Sequence, residues 1–319
     1  GMGRRIRIWK ESGMYHVTYG CIARMFLLKP SPEINRIIGY SLGRALRLAP
    51  VNLHSAESNI NHLCLIFSIG EGQIDNASKF LKLFANLAAT SLNRHYRLEG
   101  HFWAGRARVE EIRSDIQAEK VLGYDACNAV KDGLVDSYRR WKGFSTTAAI
   151  AHGKRLRFTY TNRTVWWAKG GAYKSIPKTD FKETTEINIT PFKAWLGLKK
   201  SQIQTRCRYI LRDRDEMARL ERTASGKGVL GNERLAEVSP FSKPQEPREK
   251  SPQPLCHADS YAEYKEYESE YRYITNSYKQ ASDKYRRCVF GVAFPSGTFR
   301  PPLITVLLVQ SRIDKAQSP

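Results

Sequence analysis

The sequence is short of acid. Its 319 residues carry 31 Asp and Glu against 52 Lys and Arg, a formal net charge of +21 with pI near 9.8. An excess of this size implies a polyanionic partner more readily than a merely soluble basic surface. No two of the six cysteines, at 21, 64, 127, 207, 256 and 288, form a CxxC pair, so a zinc ribbon is not indicated. Their scatter suits free thiols in a reducing compartment. No apolar run approaches the roughly 20 residues that span a bilayer. No apolar segment follows the basic stretch Arg4-Arg5-Ile6-Arg7, so no secretory signal is read and the cytoplasm is the expected location. Gly1 before Met2 has the form of an expression remnant. There is no internal repeat. The hydrophobic fraction, 41%, is enough for a packed core and argues against wholesale disorder.

Strands and helices should alternate through the first half. Residues 4–20 alternate well enough for a strand. Ser31 and Pro32 read as a helix cap and first turn, followed by Ile34, Ile37, Ile38, Leu42, Ala45 and Leu46 at helical spacing. Pro50 ends that helix. Short strands are predicted at 51–54 and 62–67, and a second amphipathic helix from 76 to about 96. A further strand should lie near 106–112, and a third helix near 115–131, stopped at Gly133. This order predicts an α+β two-layer sandwich with a mainly antiparallel sheet. Residues 151–195 read as β-like and aromatic, with Trp166, Trp167, Tyr173 and Trp195. Residues 198–223 read as a basic helix, 238–256 as linker in composition, and 260–287 as a charged helix with seven tyrosines, suited to packing or self-association.

Four stretches in order carry a resemblance: Gly13-Met14-Tyr15-His16-Val17-Thr18; Asn61-His62-Leu63-Cys64-Leu65; Gly100-His101-Phe102-Trp103-Ala104-Gly105-Arg106; and Tyr124 to Val135, with Asn128, Val130 and Gly133 in register. Together they resemble the HUH tyrosine transposases of insertion sequences and their REP-associated relatives, as a divergent long member. The resemblance implies a ferredoxin-like HUH fold over residues 4–145. Beyond it we expect a basic, DNA-contacting accessory region at 146–237, a linker at 238–259, and a charged helix and tail at 260–319. It also implies cleavage and rejoining of single-stranded or hairpin DNA through a 5′-phosphotyrosine on Tyr124. A homodimer is common in the family, but no sequence feature decides it.

A phenol has a pKa near 10 and attacks an anionic phosphodiester poorly unaided. A divalent ion, Mg²⁺ or Mn²⁺, would polarise that phosphate. Residues i and i+2 of a strand share a face, so His62 and position 64 can share an ion. Tyr124 and Asn128, at i and i+4, can bring nucleophile and ligand together. The departure is Cys64 where the family has its second histidine; sulfur suits soft ions better than Mg²⁺ or Mn²⁺. His62, Cys64 and Asn128 are therefore the candidate ligands, with the metal in question because of Cys64. Taken alone, Tyr124 would pass as a half-buried helix tyrosine, His62 as a core histidine and Cys64 as a small buried hydrophobe. Nothing in the spacing of His16 or His101 makes them ligands.

For DNA contact, Arg4, Arg5 and Arg7 form a candidate flexible arm. Arg94, Arg97, Arg106 and Arg108 around Trp103 form a basic-aromatic mix suited to single strands, unless Trp103 is core and the arginines a solvated face. Three functions stay open: a nicking and strand-transfer enzyme, a catalytically impaired DNA binder with a regulatory role, and an unrelated RNA-binding protein. The last requires all four matches to be chance.

Overall fold

The computed structural model describes residues 5–171, 173–244 and 254–302. The first half runs β1 (Met14–Gly20), α1 (Pro32–Leu48), β2 (Asn52–Ser58), β3 (His62–Ser68), α2 (Ile74–Tyr96) and β4 (Arg108–Ile112), followed by α3 (Asp115–Lys131). The strands pair antiparallel in the order β2-β3-β1-β4, the split βαβ arrangement of a ferredoxin-like sheet. The α+β class read from the sequence is the observed one. A fifth, two-residue strand, β7 (Cys256–His257), comes from the far end of the chain and joins β4 in parallel.

Local chemistry sets these elements. The Ser31 side chain accepts from the Ile34 amide at the start of α1, with Pro32 in the first turn. Ser114 caps α3 in the same way through Gln117. At the end of α3, Gly133 takes a left-handed φ of +73°, and a Cβ there would meet the Gly228 carbonyl oxygen at 2.4 Å. The expected strand at 4–20 is shortened. A turn closed by the Gly13 amide on the Lys10 carbonyl, with Ser12 at φ +57°, separates the first residues from β1.

The pleat divides the sheet into two faces. Tyr15, Val17, Tyr19, Leu63, Leu65 and Phe67 point into one core with α1 and α2. Ile66 and Ile112 point to the other, beneath α3 and α6 (Lys200–Ala224). The two expected layers are present, and α3 with α6 partly covers the second face. Between them, α4 (Thr146–Ala151), β5 (Arg157–Thr161), α5 (Arg163–Ala168) and β6 (Lys182–Glu186) follow the chain. Residues 151–195 thus contain one two-stranded ribbon, β5-β6, rather than an extended β region. The remaining helices are α7 (Gly231–Glu237) and α8 (Tyr261–Arg286). Among the described residues, no helix is long and apolar enough to cross a membrane.

A candidate active-site cleft

The face of the sheet that α3 leaves partly open forms a cleft of about 840 Å³. Its floor is built by register. Thr18 pairs with Cys64 and Gly20 with His62 across β1 and β3, so the even-numbered residues His16, Thr18, His62 and Cys64 share one face. On β4, Arg108 and Glu110 share that face, and α3 lays Tyr124, Asp125 and Asn128 above it.

His62 and Asn128 meet. The Asn128 amide Nδ2 lies 3.0 Å from His62 Nε2, while His62 Nδ1 lies 2.7 Å from Asn61 Oδ1. Nδ1 carries the proton in that arrangement, and burial lowers the His62 pKa, so the ring is neutral with its Nε2 lone pair turned towards α3. Cys64 is on the same face but differently engaged. Its Sγ is 3.8 Å from Thr18 Oγ1 and groups with His16 and Asp125 rather than with His62. Burial, and then the Asp125 charge, push its thiol up to about 11, so it stays protonated at neutral pH.

The resemblance implies a divalent ion at this pair. Mg²⁺ and Mn²⁺ favour oxygen and imidazole donors. His62 and Asn128 supply one imidazole and one amide. Position 64 supplies a soft sulfur that groups with His16 and Asp125 rather than with His62, so the set does not fit a hard ion held by two histidines and an amide.

His16, which sequence spacing did not single out, is at the centre. Its Nε2 is 3.0 Å from Asp125 Oδ2, and its Nδ1 is 3.3 Å from His257 Nε2 and 3.4 Å from Glu110 Oε2. Burial opposes charge on His16, but Asp125, with help from Cys64 and Glu110, raises its pKa well above the usual value. Burial alone would raise Glu110; its hydrogen bonds from His16 and His257, with Arg108, bring it down to about 2. The central place of β1 between β3 and β4 reveals His16, a consequence of the expected ferredoxin-like strand order that spacing along the chain does not show.

Tyr124 is 39% exposed on the cleft rim. Lys131 Nζ lies 4.8 Å, and the Arg214 guanidinium carbon 5.2 Å, from its ring centroid. Both cations are anchored on Glu221 of α6, at 3.2 and 2.9 Å. Burial would lower the Lys131 pKa, but Tyr124 and Glu221 more than offset it, so the ammonium stays charged beside the phenol. Lys131 and Arg214 were not among the predicted site residues; Lys131 is visible in sequence as i+7 from Tyr124, whereas Arg214 depends on how α6 packs.

The predicted DNA contacts divide. Arg5, Arg7, Arg106 and Arg108 line the cleft, joined by Arg24. Arg4 lies outside the described residues. Arg5 and Arg7 are not a loose arm: Arg5 donates to the Pro254 carbonyl at 3.0 Å and Arg7 to the Ala107 carbonyl at 2.5 Å. Burial, and then Arg106, lower the Arg7 pKa to about 10. Arg94 and Arg97 sit exposed at the end of α2 and do not line the cleft. Trp103 is 8% exposed; its indole packs on Tyr19, Phe84 and Phe102 and donates to the Ala85 carbonyl. That is a core position, not a stacking platform for bases.

The fold and cleft define an α+β protein with a tyrosine, a histidine–amide pair and a cationic lining on one sheet face. No family model matches the chain, and no curated protein matches it. Among solved structures it is similar to a REP-associated tyrosine transposase bound to a REP hairpin. That likeness has 20% identity and a TM-score of 0.39, over 48% of this chain and 87% of the other. It is also similar to a candidate transposase from Deinococcus radiodurans R1, at 14% identity and a TM-score of 0.28, over 38% and 91% of the two chains. Likenesses this distant do not bear on the chemistry, which rests on the cleft itself.

Proposed function

We propose that this chain is a transposase-like protein that binds single-stranded or hairpin DNA in the arginine-lined cleft and uses Tyr124 as nucleophile. The observation that carries this reading is the setting of Tyr124. Its ring is exposed at the cleft rim and flanked by Lys131 and Arg214, beside the His62–Asn128 pair. In the proposed step the Tyr124 Oη–phosphorus bond forms and the bond from phosphorus to the 3′ oxygen breaks. The phenolic proton leaves to solvent, and the departing 3′ oxygen takes one up. The product is a 5′-phosphotyrosine, and the reverse attack by a 3′-hydroxyl rejoins the strand. Lys131 and Arg214 oppose the negative charge that develops at the phenol and phosphate. The arginines hold the strand by its phosphates. A divalent ion, where one binds, would polarise the phosphate; none of these roles depends on it. Residues 4–145 would carry the reaction, and the 146–237 region would contact DNA and complete the Tyr124 environment.

A second reading is favoured by Cys64: a DNA binder that has lost the reaction because the ion site is incomplete. One experiment separates them. A labelled hairpin library is incubated with the full chain and with Tyr124→Phe, in Mg²⁺, in Mn²⁺ and in chelator. A covalent adduct that requires Tyr124 supports the enzyme. Salt-sensitive binding without an adduct under any condition supports the binder, and absence of binding sinks both.

A further inference from the structure

Beside the Tyr124 site, and independent of the reading above, lies a second donor cluster. It joins three distant parts of the chain: His16 on β1, Glu110 on β4 and His257 on β7. His16 Nδ1, Glu110 Oε2 and His257 Nε2 form a triangle with sides of 3.3, 3.4 and 3.6 Å. Three ligands of one tetrahedral zinc ion, with bonds of 2.0–2.2 Å, are separated by about 3.3–3.6 Å. The two sets of distances agree.

The surroundings suit an ion. Arg108 Nε sits 3.4 Å from Glu110 Oε1, which leaves Oε2 for the histidines. Asp125 Oδ2 lies 3.0 Å from His16 Nε2, on the far side of the ring from the triangle. An outer carboxylate behind a histidine is the usual device that fixes the tautomer and turns the other nitrogen's lone pair to a metal. His16 Nδ1, His257 Nε2 and Glu110 Oε2 converge on one point, and an ion bound there would displace the protons that the two imidazoles share with Glu110. His16 and Glu110 are buried, whereas His257 is partly open, so a fourth position can hold water.

We propose that His16, Glu110 and His257 bind one divalent transition-metal ion of the zinc class, with Asp125 as the outer partner of His16. The ion ties β7 to the centre of the sheet. This site is distinct from the His62–Asn128 pair. An alternative placement uses the opposite nitrogen of His16 with Cys64 and Asp125, which also lie close together. The His16–Glu110–His257 set is favoured because its three donor separations of 3.3, 3.4 and 3.6 Å match one ion, while Asp125 is already placed behind the His16 ring.

The test uses the full chain after chelation and desalting, titrated with Co²⁺ and then Zn²⁺ in excess Mg²⁺. Absorption reports geometry, calorimetry reports stoichiometry, and melting temperature reports the tie. The expected result is one ion per chain, a tetrahedral Co²⁺ spectrum without a thiolate charge-transfer band, and a higher melting temperature with Zn²⁺. Cys64→Ser leaves binding unchanged. His257→Ala and Glu110→Gln each weaken it by at least the ~10–100-fold that loss of an outer partner costs. Glu110→Gln keeps the size of the side chain, and metal-free circular dichroism of each variant separates lost binding from lost folding. Wild-type affinity in His257→Ala, a thiolate band that disappears in Cys64→Ser, or no tight ion at all would each overturn the assignment.

Discussion

If the cleft is the path of the DNA, its arginines set how steeply binding falls with salt. Five of them, Arg5, Arg7, Arg24, Arg106 and Arg108, line it. Each phosphate neutralised on a single strand contributes about −0.7 to the slope of log K against log salt, so five contacts give about −3.5. From 50 to 200 mM salt that is a loss of about 100-fold in affinity. Arg24 and Arg106 are the pair to change, because both line the cleft, one from the turn after β1 and the other from the loop before β4. The double variant Arg24→Ala/Arg106→Ala should bring the slope to about −2.1 and the loss to about 20-fold over the same range. Fluorescence anisotropy of a labelled single-stranded oligonucleotide across a salt series measures both. An unchanged slope with weaker binding would mean that the two side chains act on packing rather than on phosphates. An unchanged slope with unchanged affinity would remove the cleft as the DNA path.

Other consequences follow from the same geometry. Cys64→His should increase the metal-dependent adduct by placing a second imidazole on the His62 face, at an overpacking cost of about 1–3 kcal/mol in stability; denaturant melts and adduct yield measure the two together, and no gain in yield would show that position 64 is not limiting. Trp103→Ala should cost about 3–5 kcal/mol of stability, as for a large core aromatic, while the salt slope stays unchanged; a change in slope would return the indole to the DNA surface. Glu57 is fully buried on β2, where it accepts from the Thr147 amide and from the Thr146 and Thr147 hydroxyls. Burial raises its pKa from 4.5 to about 7, so the folded state holds the proton more tightly and stability drains away as pH climbs from about 4.5 to 7. At ~1.4 kcal/mol per unit this is about 3 kcal/mol. Glu57→Gln should remove that slope, and urea titrations at pH 5 and pH 7.5 would refute it if variant and wild type fell equally.

The parts legible in sequence are those whose causes are local. The third helix was expected near 115–131 and forms there, because its stop at Gly133 and the Ser114 cap found in the structure both act within a few positions of the chain. His62, Asn128 and Tyr124 were picked out by the resemblance, with the i+4 spacing of Tyr124 and Asn128 in support, and all three line one cleft. What failed were features fixed by distant partners. His16 becomes central only through the register of β1 with two other strands. His257, 241 positions away from it, arrives through a two-residue strand with no pattern of its own. Trp103 looked like a base-stacking residue because arginines surround it in sequence, yet the pairing of its backbone with Cys21 turns the ring into the core. Likewise the aromatic run at 151–195 suggested more strand than forms, since only the β5-β6 ribbon finds a partner.

The extension beyond residue 145 then has a physical reason to be there. The side of α3 turned to α6 is apolar: Gly123 lies against Ile210 and the Arg214 stem, and the Cys127 thiol donates to the Leu211 carbonyl, in one cluster with Cys207, Ile210, Leu211 and Ala218 of α6. Without α6 that face would be open to water. The helix that covers it also delivers Arg214 to Tyr124 and Glu221 to both cations beside it. A charge placed at a nucleophile by a packed helix is held without a reorganisation cost at the moment of reaction, which is the condition for strong electrostatic help. Arg214→Ala should therefore reduce the yield of any Tyr124 adduct more than it reduces DNA affinity. The aliphatic stem of Arg214 also packs against Gly123 of α3, so Arg214→Met, which keeps a stem and removes only the charge, is the sharper comparison. If Met restores the yield, the contribution of α6 is packing alone; if it does not, the extension is part of the reaction centre.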